Sequence, residues 1–162
     1  MKTRGGMLSA TLVARICAVD LKTIHNWANK GKIAGTRTRG RHLRFRPLDV
    51  VEFLRTYEFG VPEALRSMKL RVLVVDPDAG ALATARRALV RRFDVATAGH
   101  VVDGLLALAT FAPDVLVAGD LAPIDPTALA GRLAAHPGLR HVRVVPLGEP
   151  ARLREALEQL TQ

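Results

Sequence analysis

The chain has 162 residues, 49% of them apolar and 24% charged, with no low-complexity tract, which suits one packed domain or two small ones. One cysteine, Cys17, excludes an internal disulfide and a multi-cysteine metal site. No apolar run is long enough for a transmembrane helix, and the first residues do not read as a signal peptide, so a cytoplasmic protein is expected. The net charge of +9 is unevenly spread: residues 1–62 hold 12 Lys and Arg against 4 Asp and Glu, and residues 63–162 hold 12 against 11. A cationic field confined to one segment is what a polyanion binder needs.

In chain order, residues 1–6 read as a flexible tail with two cations, Lys2 and Arg4, suited to a phosphate backbone. Ser9 is an N-cap for a helix over 10–16, with Leu12, Val13 and Ile16 inward. Cys17 falls in the following turn, as a small packed residue. Asp20 caps a second helix over 21–29, where Leu21, Ile24 and Trp27 recur at helical spacing and point to the core. The opposite face carries Lys22, Thr23, His25, Asn26 and Lys30. A helix of this size fits the DNA major groove, and these side chains can bond to base edges or phosphates. Lys22, Thr23, His25 and Asn26 are the candidates for base contacts.

Gly31 stands where a helix C-cap belongs. Residues 33–36 read as a short strand, 37–42 as a cation-rich turn, and 43–46 as a strand alternating apolar with basic side chains. The hairpin forms a wing, and Lys30, Lys32, Arg37, Arg39, Arg41 and Arg44 are the candidates for backbone phosphates. Pro47 opens a third helix with Leu48, Val51, Phe53 and Leu54 as its apolar stripe. These pieces, in order, resemble the winged helix-turn-helix of the MerR and excisionase families. The resemblance is carried by Leu12-Val13-Ala14, residues 19–27, Gly31-Lys32-Ile33, Arg41-His42-Leu43-Arg44-Phe45 and residues 49–54. It implies that the second helix enters the major groove and that the wing meets the backbone or the minor groove.

Residues 60–68, with Gly60 and Pro62, read as a linker containing a short helix, between a DNA-binding domain over 7–59 and a second domain over 69–162. From Leu70 the rhythm changes: strands at 70–75, 93–98, 115–118 and 142–145 alternate with helices at 79–92, 101–111, 126–135 and 151–160. In the first of these helices Leu82, Ala85 and Leu89 point inward and Arg86, Arg87, Arg91 and Arg92 outward. Alternation of this kind predicts an α/β domain: a parallel sheet with right-handed crossovers, covered on both faces. The last helix has one apolar stripe, Leu153, Ala156, Leu157 and Leu160.

Val72-Leu73-Val74-Val75-Asp76, residues 113–118 and Pro123 make this half resemble the receiver domain of two-component response regulators, a flavodoxin-like fold. The resemblance implies a phosphoacceptor Asp after the third strand, acidic residues after the first strand that hold Mg²⁺, and a hydroxyl and a Lys around the phosphoryl group. Counting from Pro113 and Pro123 puts Gly119 at the phosphoacceptor place, with Asp120 one residue late. Asp76 keeps the first acidic place, Pro77 takes the second, and Asp78 reads as a helix N-cap. Pro146 or Leu147 fills the hydroxyl place, and a gapless alignment of the last strand puts Pro146 at the Lys place. The chain is also short by about one strand–helix unit. Asp76, Asp78, Gly119 and Asp120 thus outline a degenerate pocket in a truncated receiver that takes no phosphoryl group. The competing reading makes Asp120 a shifted phosphoacceptor.

The helix at 101–111 is apolar nearly all round. Val101, Leu105 and Leu108 suit the sheet, which leaves Val102, Leu106 and Ala109 either as an oligomer or partner surface or covered inside the fold. The expectation is a sequence-selective, double-stranded DNA-binding, nucleoid-associated transcription regulator. Its second domain assembles homodimers or higher oligomers, or docks a protein partner. The alternatives are an architectural, excisionase-like or chromosome-organising DNA binder, and a scaffold or adaptor with DNA binding secondary. No enzyme, cofactor, metal or membrane partner is expected: the five His are scattered, no nucleophile–base set is assembled, and no Gly-rich phosphate loop follows a strand.

Overall fold

A computed structural model describes residues 6–160, and the chain divides after Met68 into two units, Met1–Met68 and Lys69–Gln162. The tail read at 1–6, with Lys2 and Arg4, lies outside the described residues apart from Gly6.

The first unit runs β1 (Leu8–Ser9), α1 (Ala10–Ile16), α2 (Leu21–Asn29), β2 (Thr36–Arg37), β3 (Leu43–Phe45), α3 (Pro47–Thr56) and α4 (Glu63–Arg66). The Ser9 hydroxyl accepts from the Leu12 N–H at 3.2 Å and so fixes where α1 begins. The turn after α1 closes through Ala18, at φ +53°, and a bond from the Val19 N–H to the Ala14 carbonyl at 3.0 Å. A left-handed alanine costs about 1 kcal/mol, a strain held by burial of Cys17 on one side and of Ile24 on the other. Asp20 occupies the N-cap of α2, though without a side-chain cap bond, and Gly31 at φ +71° follows its C-cap Lys30. Leu8, Val13, Ile24, Ile33, Phe45, Val50 and Leu54 form the centre of one core.

Three expectations change here. Leu21, expected inside, is 44% exposed, because the first turn of α2 overhangs the core that Ile24 and Trp27 enter. The strand expected at 33–36 sits instead at Thr36–Arg37: Ile33 plugs the core, and strand pairing starts only at Thr36 opposite Arg44. Residues 60–68 are packed rather than linking, since Leu65 is buried and Val61 and Met68 lie against the same core. A further strand, β1, was not expected; Leu8 pairs with Phe45 and completes a sheet of order β1-β3-β2.

The second unit runs β4 (Arg71–Val75), α5 (Ala79–Leu89), β5 (Asp94–Ala98), α6 (Val101–Thr110), β6 (Val115–Ala118), α7 (Pro126–Ala135), β7 (Arg143–Pro146) and α8 (Pro150–Gln159). All four strands pair in parallel in the order β5-β4-β6-β7. This is the flavodoxin-like 2-1-3-4-5 order stopped one strand short. Successive residues of β4 alternate faces: Leu73 and Val75 enter the core beneath α6 and α7, while Val72 and Val74 are buried on the other face. On that other face α5 packs on β4, β5 and α8. The last helix therefore crosses the sheet to pair with the first, which closes both layers with one strand–helix unit missing.

Gly104 is the close-approach point of α6. A Cβ there would lie 2.6 Å from Val75 Cγ2, so only glycine lets the helix sit down on β4. This rotates α6 away from the expected stripe. Gly104 and Leu108 are buried, with Val101, Ala107 and Phe111 beside them, while Leu105 is exposed together with Val102, Leu106 and Ala109.

Candidate nucleic-acid interface and the receiver-like pocket

The polar face of α2 exists because Ile24 and Trp27 hold its other side. Trp27 packs on Phe53 at 5.2 Å between ring centroids and on Phe59 at 6.0 Å. Phe59 is returned to this cluster by the left-handed Glu58, at φ +58°, and by its N–H bond to Leu54. Lys22 and Asn26 are exposed, and Thr23 and His25 are half-buried at the edge of the same face. Among the described residues these side chains make no hydrogen bond within the fold, so they can exchange water for another partner without opening it.

The wing is a tight loop between β2 and β3. The Arg41 N–H bonds the Thr38 carbonyl at 2.8 Å, and the Thr38 N–H bonds the His42 carbonyl at 3.0 Å. The Thr38 hydroxyl also accepts from the His42 N–H at 3.3 Å. Arg39 and Arg41 lie exposed at its tip. Arg37 lies along the exposed surface of the hairpin: its guanidinium donates to Asn29 Oδ1 and to the Arg41 carbonyl, each at 3.3 Å, and so braces the wing to the end of α2. Arg44 is half-buried and donates to the Leu43 carbonyl at 3.2 Å. Lys30 and Lys32 are exposed, and Lys32 Nζ lies 5.6 Å from the Tyr57 ring centroid. The sequence groups the six cations together; among the described residues the structure separates those without a partner (Lys30, Arg39, Arg41) from those with local partners (Lys32, Arg37, Arg44). Cys17 is buried, and that burial pushes its thiol pKa up, which keeps it a neutral packing group.

In the second unit the order of strands reverses between β4 and β6, and their carboxyl ends form the crevice where such folds bind ligands. Here Asp76, buried just past the end of β4, lies at the crevice. Its Oδ1 accepts from the Asp78 N–H at 2.7 Å and its Oδ2 from the Asp120 N–H at 3.0 Å, tying the loop after β4 to the loop after β6. Gly119 is required by this arrangement: a Cβ there would fall on the Asp76 carboxylate. Asp78 caps α5 by accepting from the Gly80 N–H at 2.7 Å and the Ala81 N–H at 3.3 Å. Asp120 is exposed and turned back on its own loop, accepting from the Ala122 N–H at 2.9 Å. Pro146 lies at the end of β7 opposite Ala118. The four residues read as a degenerate pocket thus do converge, but each acidic side chain is engaged by backbone amides. The sequence signal for this clamp was the glycine at position 119, read as a missing acceptor rather than as room for Asp76.

Among the described residues no group of three or more His, Cys, Asp or Glu could hold a metal ion, and no helix is long and apolar enough to cross a membrane.

Residues 7–57 match the helix-turn-helix domain family model. No curated protein matches the chain. Among solved structures, a signal receiver domain of a response regulator from Bermanella marisrubri is 18% identical, over 59% of this chain and 100% of that one, with a TM-score of 0.48. The N-terminal domain of an uncharacterised protein from Wolinella succinogenes is 22% identical, over 57% and 93%, with a TM-score of 0.43. The N-terminal domain of a response regulator receiver protein from Methanoculleus marisnigri is 20% identical, over 56% and 94%, with a TM-score of 0.42. The chain thus joins a region that matches a helix-turn-helix domain to an α/β unit with a four-stranded parallel sheet.

Proposed function

We propose that the chain is a sequence-selective, double-stranded DNA-binding regulator of transcription whose receiver-like unit works without phosphorylation. It acts by binding and not as an enzyme. The observation that carries this is the exposed polar face of α2 beside a wing tipped by exposed cations that have no partner among the described residues. In this reading Lys22, Thr23, His25 and Asn26 meet base edges, and Lys30, Arg39 and Arg41 neutralise phosphates. Arg37 holds the wing at its angle to α2, and Arg44 stiffens β3.

The loss of phosphorylation is supported by the occupied crevice. A phosphoacceptor at position 119 has no space, and Asp120 faces its own loop. A second-unit role in self-association is supported by α6, where Val102, Leu105 and Leu106 are 52%, 38% and 64% exposed. Apolar side chains at that exposure suit a buried face of a dimer better than open solvent. Two dimerised helix-turn-helix units would read a two-fold site at a fixed spacing.

The test is footprinting of the full chain on genomic fragments across a salt series. Discrete protected sites, with affinity falling steeply between 50 and 200 mM salt, are expected for several phosphate contacts, by the order-of-magnitude rule for counterion release. Uniform coating without sites would overturn selective reading in favour of an architectural role. An affinity unmoved by salt would overturn DNA binding altogether.

A further inference from the structure

The second unit is close to neutral as a whole, and that balance conceals a strong separation of charge. Residues 79–93, which hold α5 and the turn after it, carry four arginines, Arg86, Arg87, Arg91 and Arg92, and no Asp or Glu. All four are exposed. The neighbouring α8 adds Arg152 and Arg154 against Glu155 and Glu158. Arg92 Nε lies 3.4 Å from Glu158 Oε1 and Arg154 Nε lies 4.0 Å from the same oxygen, so one carboxylate is shared by two guanidiniums. Arg86 donates to the Val95 carbonyl at 3.4 Å, a neutral partner, and has no ion pair among the described residues. Of the unit's other acidic residues, Asp94 at the start of β5 lies 3.6 Å from the Arg71 guanidinium and Asp114 accepts from the Arg71 N–H, while Asp76, Asp78 and Asp120 sit at the carboxyl ends of the strands, Asp103 on α6, Asp125 before α7 and Glu149 before α8.

Cations in a last helical turn are favoured by the helix dipole. That accounts for one or two of them. Placing four within seven residues adds like-charge repulsion, and among the described residues no ion pair to Arg86, Arg87 or Arg91 offsets it. Arginine is also the cation best matched to phosphate, through its planar fork of donors.

We propose that the arginine face formed by Arg86, Arg87 and Arg91, with Arg92 at its margin, is a second site for the phosphate backbone of duplex DNA, contacting DNA outside the segment read by α2. The inference rests on the reading of the first unit as a duplex binder, since the same duplex then supplies the polyanion at high local concentration. The site is sequence-independent, so it adds affinity and salt dependence on longer duplexes without adding selectivity.

The experiment uses four full-length chains: wild type, the triple variant R86Q/R87Q/R91Q, the triple variant K22A/H25A/N26A, and the two combined. Binding is measured over a salt series on a duplex limited to one footprint and on one extended by about two helical turns. The proposal expects R86Q/R87Q/R91Q to bind the short duplex like wild type. On the long duplex its affinity falls several-fold and its log–log salt slope is shallower by about 2 to 3, at about 0.9 per lost contact. It expects K22A/H25A/N26A to keep a residual, salt-sensitive affinity that the combined variant loses. Equal slopes for wild type and R86Q/R87Q/R91Q on the long duplex would overturn it, and so would an effect of that variant on an acidic protein ligand with none on DNA. If K22A/H25A/N26A binds as tightly as wild type while R86Q/R87Q/R91Q loses binding, the arginine site stands and the reading of α2 fails. Absence of duplex binding by the wild-type chain overturns both.

Discussion

The exposed face of α2 and the carboxyl ends of β4 and β6 are the places where each unit's fold ordinarily meets a ligand, and their polar atoms are differently employed. On α2 the side chains of Lys22 and Asn26 are exposed and have no hydrogen bond or ion pair among the described residues, so they are open to a partner. At the ends of the strands Asp76, Asp78 and Asp120 accept from backbone N–H groups of Asp78, Gly80, Ala81, Asp120 and Ala122. Recruiting Asp76 for a metal or a phosphoryl group would strip the partly buried amides of Asp78 and Asp120 of their acceptor, at about 1 to 3 kcal/mol each. Side chains committed to the fold are unavailable to a ligand, and the two regions differ in that commitment more than in their content of polar residues.

The largest effect that could break this comparison is at Gly119. G119A forces a methyl group onto the Asp76 carboxylate and is expected to destabilise the second unit by about 1 to 3 kcal/mol, as overpacking does. Its melting temperature should fall by about 4 to 8 °C per kcal/mol, given its size. Trp27, the one tryptophan, lies in the first unit, so its fluorescence transition should stay in place while far-UV circular dichroism shifts. G119D should be worse still, and should form no stable adduct with acetyl phosphate. If G119D were as stable as wild type and took up phosphate, the crevice would be open and the contrast with α2 would collapse.

The next effect belongs to the other side of the comparison. N26A removes an exposed side chain with no structural duty, so the Trp27 melting transition should not move. Affinity for a footprinted site should drop by about 1 to 3 kcal/mol, roughly 5- to 150-fold, with relaxed selectivity at one base position. R39A should weaken all duplexes alike and lower the salt slope by about 0.9. R37A sharpens the distinction between brace and contact: it loosens the wing, so it should lower affinity with a smaller change of slope than R39A. Competition binding on matched and scrambled duplexes reads all three.

The sequence revealed the elements of this chain better than their local commitments. Helical spacing, the caps at Ser9 and Asp78, and the alternation of strands with helices located nearly every element, because each rests on interactions within a few residues. The α2 face was legible for the same reason, being set by the spacing of Ile24 and Trp27. What stayed hidden depended on distant partners. The two-residue β1 has no periodicity of its own and exists because Leu8 pairs with Phe45. The rotation of α6 that exposes Leu105 follows from the contact of Gly104 with Val75, and a helical pattern with apolar residues all round could not choose its buried side. The clamp at Asp76 joins residues 44 apart in sequence, so no local motif announces it. Charge separation in the second unit was equally masked, since its total hides which helix faces carry it.

The smallest effect is expected at Cys17, which tests whether the first unit has its own committed polar group. Burial raises the thiol pKa in the folded chain, so the unfolded chain ionises first as pH rises. The folded state then binds the proton more tightly, and stability is constant below the thiol's ordinary value and falls as pH climbs through the alkaline range above it. Alkylation of the native protein should accordingly be slow and should accelerate on unfolding, with little change in the Trp27 transition up to neutral pH. C17A should abolish the thiol's share of the alkaline loss, cost about 1 kcal/mol or less from a small void, and leave duplex affinity within twofold of wild type. Rapid labelling of the folded chain, accompanied by loss of duplex binding, would instead make the turn between α1 and α2 a reactive site, and the contrast between an open α2 face and a sealed interior would no longer hold within the first unit.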